Sequence, residues 1–74
     1  MNYKVTVVIE QDEDGYYAFA PELDGCQTQG DSLDDVLANI REAIELYLET
    51  LNREEIQQRL SKTILTTSLE VAIA

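Results

Sequence analysis

The sequence SLDDVLANIREAIELYLETL, residues 32–51, has the pattern of one long amphipathic helix and is the segment that best defines the fold. Its apolar side chains recur every three or four positions and would share one face of that helix: Leu33, Val36, Leu37, Ile40, Ile44, Tyr47, Leu48 and Leu51. Ser32 is a typical N-cap, and Asp34 and Asp35 follow in the first turn, where carboxylates oppose the positive end of the helix dipole. Asn52 tolerates a left-handed conformation and predicts the C-terminal cap. We expect the apolar face to cover one side of a β-sheet.

Three segments before the helix have strand patterns. Residues 3–10 alternate between apolar and polar side chains, which is typical of a half-buried strand. The polar run 11–15 ends in Asp-Gly and predicts a hairpin loop, so residues 16–20 would return antiparallel to the first strand. Pro21 ends that strand because proline cannot donate to a ladder. Residues 26–30 predict a short, polar edge strand.

After the long helix, residues 53–60 predict a short second helix and residues 66–74 predict a final strand that rejoins the sheet. The side chains that would share one face of this last strand are Thr67, Leu69, Val71 and Ile73. The predicted fold class is therefore α+β, with the order β-β-β-α-β in two layers and one main helix packed on one face of an antiparallel sheet. The chain has 74 residues, so we expect a single domain over residues 1–74.

The charge balance restricts the partners that the protein can have. Fifteen acidic residues face five basic ones, which gives a formal net charge of −10. Such a surface repels nucleic acids and anionic lipids and attracts basic proteins. The chain has no apolar run near the roughly 18 residues of a membrane span, and its N-terminus has no signal-peptide pattern. We expect a cytoplasmic protein that binds neither nucleic acid nor membrane.

The small core predicts that the protein associates with other chains. A domain of this length buries only about 60–65% of the surface that its unfolded chain exposes. Cys26 is the only cysteine and histidine is absent, so neither an intrachain disulfide nor a histidine-based metal site can support the fold. A homo-oligomer, a hetero-complex or both would supply the missing support. We interpret Cys26 itself as a small buried apolar residue rather than a reactive thiol.

The sequence lacks the usual combinations of catalytic residues. There is no histidine to activate a serine or threonine, and the three glycines are spaced for turns rather than for phosphate binding. Glu10, Asp12, Asp14 and Gly15 match the first ligand positions of a calcium loop, but Pro21 stands where the final bidentate acid must be. We interpret this segment as a solvated hairpin tip. We expect no enzyme activity, no metal and no cofactor.

Two groups of side chains are candidates for contact with a partner. Tyr16, Tyr17 and Phe19 form an aromatic cluster in which alternation places Tyr16 on one side of the strand and the other two on the opposite side. Exposed aromatic residues commonly anchor interfaces. The second group is the acidic, exposed side of the predicted helix: Asp34, Asp35, Glu42, Glu45 and Glu49.

Four segments together resemble a known family. They are EDGYYA at 13–18, PELDGC at 21–26, QGDS at 29–32, and the helix with Asn39, Glu42-Ala43-Ile44 and Leu48. This combination is similar to the HicB antitoxin family, whose members carry the pattern DGGY-A-PELPGC, then GDT, ahead of such a helix. The resemblance covers about residues 3–50. It implies a partial ribonuclease-H-like fold without an active nuclease site.

The resemblance also implies a partner, the HicA toxin. HicA is a small basic ribonuclease with a double-stranded-RNA-binding type of fold and a catalytic histidine, and HicB domains silence it by covering its active site. Asp24 stands where the family usually has proline. Full antitoxins usually carry a C-terminal DNA-binding domain, whereas this sequence ends at Ala74, so we expect a short form that does not bind an operator.

Two other functions are consistent with the sequence. The chain could be an orphan homo-oligomeric module of this family that has no toxin and binds a small ligand. It could also be a metal-dependent nuclease, which would require at least three carboxylates to converge; the candidates are Asp24, Asp31, Asp34 and Asp35.

Overall fold

The computed structural model describes residues 2–74 and confirms the predicted α+β class. A three-stranded antiparallel sheet, in the order β1-β2-β3, is followed by two helices. The elements are β1 (Val8–Asp12), β2 (Gly15–Phe19), β3 (Gln27–Gly30), α1 (Leu33–Glu49) and α2 (Arg53–Leu60).

A tight hairpin joins β1 to β2. Asp12 lies opposite Gly15, so only Glu13 and Asp14 form the loop. The backbone N–H of Asp14 donates to Oδ1 of Asp12 at 2.8 Å, which fixes the turn. Gly15 has φ +130°, a conformation that a residue with a side chain rarely adopts. The hairpin is therefore confirmed, but its loop is shorter than the predicted residues 11–15, because β1 extends to Asp12 and β2 begins at Gly15.

The first strand begins later than the alternation predicted. Residues 2–7, which we call the N-terminal segment, are not part of the sheet, because β1 pairs only from Val8 onward. The pairing ends there because Val8 lies opposite Phe19, the last residue of β2. Pro21 then turns the chain away and leaves the N-terminal segment without a neighbouring strand.

The caps of the two helices explain where they begin and end. Ser32 caps α1 as predicted, since its side chain accepts the N–H of Asp35 at 3.1 Å. The predicted role of Asn52 was wrong: α1 ends at Glu49, and Thr50 is its C-cap. Asn52 has an extended backbone (φ −84°, ψ 173°) and caps the start of α2 in a capping box with Glu55.

The core lies between the sheet and α1. Its buried apolar residues are Ala18, Ala20, Leu23, Cys26, Val36 and Ile40. The helix approaches the sheet closely at Gly30, where an added Cβ would lie 2.7 Å from the backbone nitrogen of Val36. Burial of Cys26 confirms that it is a core residue, and the loss of hydration raises the pKa of its thiol.

The predicted final strand is not formed. In the part of the chain that the structure describes, residues 62–74 belong to neither a helix nor a strand. We call these residues the tail. Alternation gives each strand-like segment two chemically distinct faces, but a strand also needs a neighbouring backbone, and the tail pairs with none among residues 2–74. The observed order is therefore β-β-β-α-α.

Candidate partner-binding surfaces

The face of the sheet that points away from α1 carries two aromatic rings. Residues opposite one another in the ladders share a face, so this open face consists of Val8, Glu10, Tyr17, Phe19, Gln27 and Gln29. The rings of Tyr17 and Phe19 lie 5.9 Å apart, centroid to centroid. The Tyr17 hydroxyl donates to Oε1 of Gln27 at 2.8 Å, which holds the ring across the neighbouring strand. Both rings are half-buried and available to a partner.

Tyr16 lies on the other side of the strand, as alternation predicted. Its side chain is half-buried and packs against the core beneath α1. The aromatic cluster therefore divides into two parts: Tyr17 and Phe19 share the open face, whereas Tyr16 supports the core.

The carboxylates of α1 form a continuous acidic face. All five predicted residues are exposed: Asp34, Asp35, Glu42, Glu45 and Glu49. At 100° per residue they fall within an arc of about 100°, directly opposite the buried Val36 and Ile40. Arg41 is the only basic residue of α1.

The acidic face and the open face lie on opposite sides of the molecule. The sheet and α1 form two layers, and each of these surfaces is the outer side of one layer. The eight residues predicted to bind a partner therefore do not form one surface. A small globular partner would contact the acidic face or the aromatic pair, and would reach both only by extending around an edge.

Acidic residues also surround a cavity of about 740 Å³ at the end of the hairpin. Glu10, Asp12, Asp14, Asp31 and Asp35 contribute to its lining. Among residues 2–74, however, no three or more His, Cys, Asp or Glu side chains are close enough to hold a metal ion. The convergence of carboxylates that a metal-dependent nuclease requires is thus not found in the described chain.

An apolar groove lies between the N-terminal segment and α1. It has a volume of about 720 Å³, and apolar side chains from both elements line it: Tyr3, Val5, Val7, Leu37, Ile40, Ile44 and Leu48. Leu37 is 43% exposed although it belongs to the predicted apolar stripe. The groove was not predicted from the sequence patterns. The sequence did contain a signal for it: the apolar face of the helix has eight positions, which are more than a short three-stranded sheet can cover.

Glu22 is a second feature that the sequence analysis missed. Its side chain is buried, and Oε1 accepts the backbone N–H of Thr6 at 2.7 Å. This contact ties the loop after β2 to the N-terminal segment, whose Tyr3, Val5 and Val7 line the apolar groove. Within the described residues, no helix is long and apolar enough to cross a membrane.

Comparison with known proteins identifies relatives along nearly the whole chain. The model of the HicB-like antitoxin family of bacterial toxin–antitoxin systems matches residues 3–71, which include most of the tail. A UPF0150 protein of Helicobacter pylori is 46% identical over 70 residues, covering 95% of this chain and 97% of its own. A UPF0150 protein of Archaeoglobus fulgidus is 53% identical over 53 residues, covering 70% of this chain and 77% of its own.

A further UPF0150 protein, ssr1765 of Synechocystis, is 51% identical over 53 residues, which are 70% of this chain and 67% of that protein. No solved structure matches the chain. The family model covers well over half of the residues and includes the acidic helix, the loop with Glu22 and most of the tail. The chain therefore belongs to the HicB-like antitoxin family of bacterial toxin–antitoxin systems.

Proposed function

We propose that this protein binds and neutralises a small, basic ribonuclease toxin of the HicA type by covering the toxin's active site. The acidic face of α1 is the observation that carries the proposal. Five exposed carboxylates on one side of a single helix, in a chain of net charge −10, create a strong local negative potential. A ribonuclease must present positive charge to RNA, so the same positive surface would attract this helix.

The mechanism is competition without catalysis. A toxin bound to the acidic face cannot hold the RNA phosphates at the same positive surface, because the helix carboxylates occupy it. The helix α1 is well suited to this role, since its buried side is fixed against the sheet and the backbone that carries the carboxylates needs no ordering on binding. RNA degradation takes place inside the cell, so the proposal includes a cytoplasmic location.

The aromatic pair forms a separate candidate surface. Tyr17 and Phe19 are large, close together and half-buried, which is typical of anchor residues. Because they lie on the opposite layer, we assign the acidic face as the primary toxin contact and the open face as a second, independent one. Tyr16 contributes indirectly by supporting the sheet from the core side.

The proposal is tested by isothermal titration calorimetry with a catalytically inactive HicA-type toxin from the same genome. We expect binding that weakens at least tenfold between about 50 and 500 mM NaCl, because salt screens exposed charges. Glu45→Gln/Glu49→Gln should weaken binding at low salt by about tenfold or more, by loss of charge-assisted contacts. In a matched assay with active toxin, the unmodified protein should prevent RNA cleavage and this double variant should do so less well.

A control with the same net charge separates local contact from overall charge. Glu13→Gln/Glu54→Gln removes two carboxylates from the hairpin tip and from α2, and both residues are exposed. We expect it to bind the toxin almost as well as the unmodified protein. Equal weakening by both double variants would show that only the net charge matters, and failure to bind any HicA-type toxin would refute the proposed function.

The apolar groove favours a second candidate function. An orphan module of this family could bind a small apolar ligand there, since its lining includes half-exposed aliphatic side chains. The two functions are distinguishable by salt, because binding of an apolar ligand in the groove would be insensitive to it, whereas binding of a basic toxin would weaken. Glu45→Gln does not separate them, since Glu45 also lines the groove.

A further inference from the structure

The tail exposes apolar side chains in the alternating pattern of a strand. Leu69, Val71 and Ile73 are 82%, 72% and 91% exposed, and alternation places them on one side. In the described chain, no backbone hydrogen bond outside the helices and strands involves residues 62–74. A segment with β-strand alternation, an apolar side and free backbone groups is prepared to join a sheet.

The N-terminal segment also has backbone groups that no neighbouring strand pairs with in the described chain. Among residues 2–74, no backbone–backbone hydrogen bond outside the helices and strands involves it, and the N–H of Thr6 donates to the side chain of Glu22. The sheet order places β1 at an edge, so the N-terminal segment that precedes it continues this edge. Val5 and Val7 are half-buried and face the core, whereas Lys4 and Thr6 are exposed.

The two segments match in side-chain chemistry. If Val71 lies opposite Val5, then Leu69 and Ile73 fall on the groove side with Tyr3 and Val7, whichever direction the tail runs. Their apolar side chains would cover the edge of the groove beside Leu37 and Ile44. The same register places Glu70 on the outer face, opposite Lys4 if the tail runs parallel and diagonal to it if the tail runs antiparallel; Lys4 is one of only five basic residues in the chain.

The shape of the protomer argues for a partner chain. The longest dimension of the molecule is 49 Å, against 28 and 18 Å for the other two. The 17-residue α1 accounts for about 26 Å. The tail can span roughly 40 Å when extended, and its exposed side chains show that it does not enter the groove of its own protomer. A chain with both an extended tail and an open groove can form a dimer in which each copy places its tail in the groove of the other.

We propose that the tail of one copy adds as a strand to the N-terminal segment of a second copy, and reciprocally, to form a strand-exchanged dimer. Two-fold symmetry makes the contact self-complementary, so each copy contributes one tail and receives one. The exchange covers the apolar groove of both copies and leaves both aromatic pairs outward, together with the acidic faces except at Glu45, which borders the groove. This inference is independent of the proposed toxin and concerns the protein alone.

The first test measures the mass of the full chain in solution by sedimentation equilibrium. The unmodified protein should have twice its chain mass of 8.4 kDa. Leu69→Asn/Val71→Asn should weaken dimerisation at least tenfold, because polar side chains would enter the groove. Ser68→Asn/Ala72→Asn is the matched control on the other side of the tail, and it should remain dimeric.

The two variants change exposed positions, so circular dichroism should give the same helix content for both. A monomeric unmodified protein at concentrations up to 0.1–1 mM, roughly the upper range for a weak complex, would overturn the proposal. A dimer that Leu69→Asn/Val71→Asn leaves intact would overturn it as well.

The second test distinguishes exchange from closure within one chain. A copy carrying Val5→Cys is mixed with a copy carrying Val71→Cys, unfolded and refolded together, and oxidised. Exchange predicts a covalent heterodimer on a non-reducing gel, because Cys26 is buried and cannot compete. With both substitutions in one chain, an oxidised product that stays monomeric would show that the tail closes on its own protomer, and would refute the exchange.

Discussion

The carboxylate of Glu22 accepts a hydrogen bond from the backbone N–H of Thr6 at 2.7 Å, across 16 residues of sequence. Glu22 is only 5% exposed and follows Pro21 in the loop after β2. This contact attaches the N-terminal segment, which has no strand partner among residues 2–74, to the rest of the domain. A carboxylate bonded to a backbone N–H makes one of the stronger hydrogen bonds in a protein.

Glu22→Ala should destabilise the protein by about 1–3 kcal/mol, because the N–H of Thr6 loses its acceptor and a buried side chain is removed. Glu22→Gln should cost less, since the amide oxygen can still accept. Urea unfolding followed by circular dichroism measures both. Glu13→Ala, at the exposed hairpin tip, is the control and should change the free energy of unfolding by less than about 0.5 kcal/mol. A similar small effect for Glu22→Ala would mean that the N-terminal segment is held by Val5 and Val7 alone.

Asn52→Ala should destabilise α2 by about 1 kcal/mol, since it removes a capping-box partner. Asn52 accepts the N–H of Glu55 at 2.8 Å, and the Glu55 carboxylate accepts the N–H of Asn52 at 2.9 Å. Gln57→Ala, at an exposed position of the same helix, is the control. Hydrogen exchange of the α2 amides should be faster in Asn52→Ala than in the control. Equal exchange rates in the two variants would show that the packing of Ile56, rather than the cap, determines the stability of α2.

The sequence was sufficient to predict α1 because its signals are local. A cap at Ser32, acidic residues in the first turn and a stripe with helical spacing all act within a few residues. The limits of the other elements depend on partners that are distant in sequence. Alternation alone cannot tell that β2 stops opposite Val8, or that the tail pairs with no strand in the part of the chain that the structure describes.

The candidate site was predictable residue by residue but not as an arrangement. Helical spacing correctly placed five carboxylates on one exposed side of α1, and alternation correctly separated Tyr16 from Tyr17 and Phe19. The sequence could not show that the two groups lie on opposite layers. Glu22 was missed because an acidic residue after proline in a polar loop has the pattern of an exposed turn, and only the fold buries it.

Gly30→Ala should destabilise the protein by about 1–3 kcal/mol through overpacking. The new Cβ would lie 2.7 Å from the backbone nitrogen of Val36, and that neighbour is backbone at the start of α1, which cannot move without shifting the helix. Gln29→Ala, one residue earlier on the open face, should have a small effect. The midpoint of urea unfolding reports both. An unchanged midpoint for Gly30→Ala would mean that α1 slides along the sheet at little cost.

Cys26 should make stability depend on pH in the alkaline range. Burial raises the pKa of its thiol, so the folded state keeps a proton that the unfolded chain releases. The stabilisation that comes from this retained proton is complete at pH values below the ordinary thiol pKa of about 8.5. It is lost as the pH rises through the higher thiol pKa of the folded protein. The unmodified protein should therefore lose its advantage in free energy of unfolding over Cys26→Ala as the pH is raised above 7.5.

Iodoacetamide should modify the native thiol far more slowly than the urea-unfolded one, and equal rates would contradict its burial.

Phe19→Ala tests which of the two outer surfaces would contact the proposed toxin. The ring lies 5.9 Å from Tyr17 on the open face, away from the acidic face of α1. If the acidic face is the primary contact, Phe19→Ala should weaken binding of the inactive toxin by less than about threefold, and Glu45→Gln/Glu49→Gln should weaken it by about tenfold or more. If Phe19 is instead a buried anchor of the interface, its truncation to alanine should weaken binding by at least about tenfold.

The reverse ranking, measured in the same calorimetric titration, would move the interface to the sheet. Thr28→Ala serves as the control for damage to the sheet itself, because Thr28 lies opposite Ala18 on the side that faces α1. A loss of binding in Phe19→Ala but not in Thr28→Ala would then identify direct contact at the open face. The acidic helix would in that case act at longer range, by steering the basic toxin toward the complex.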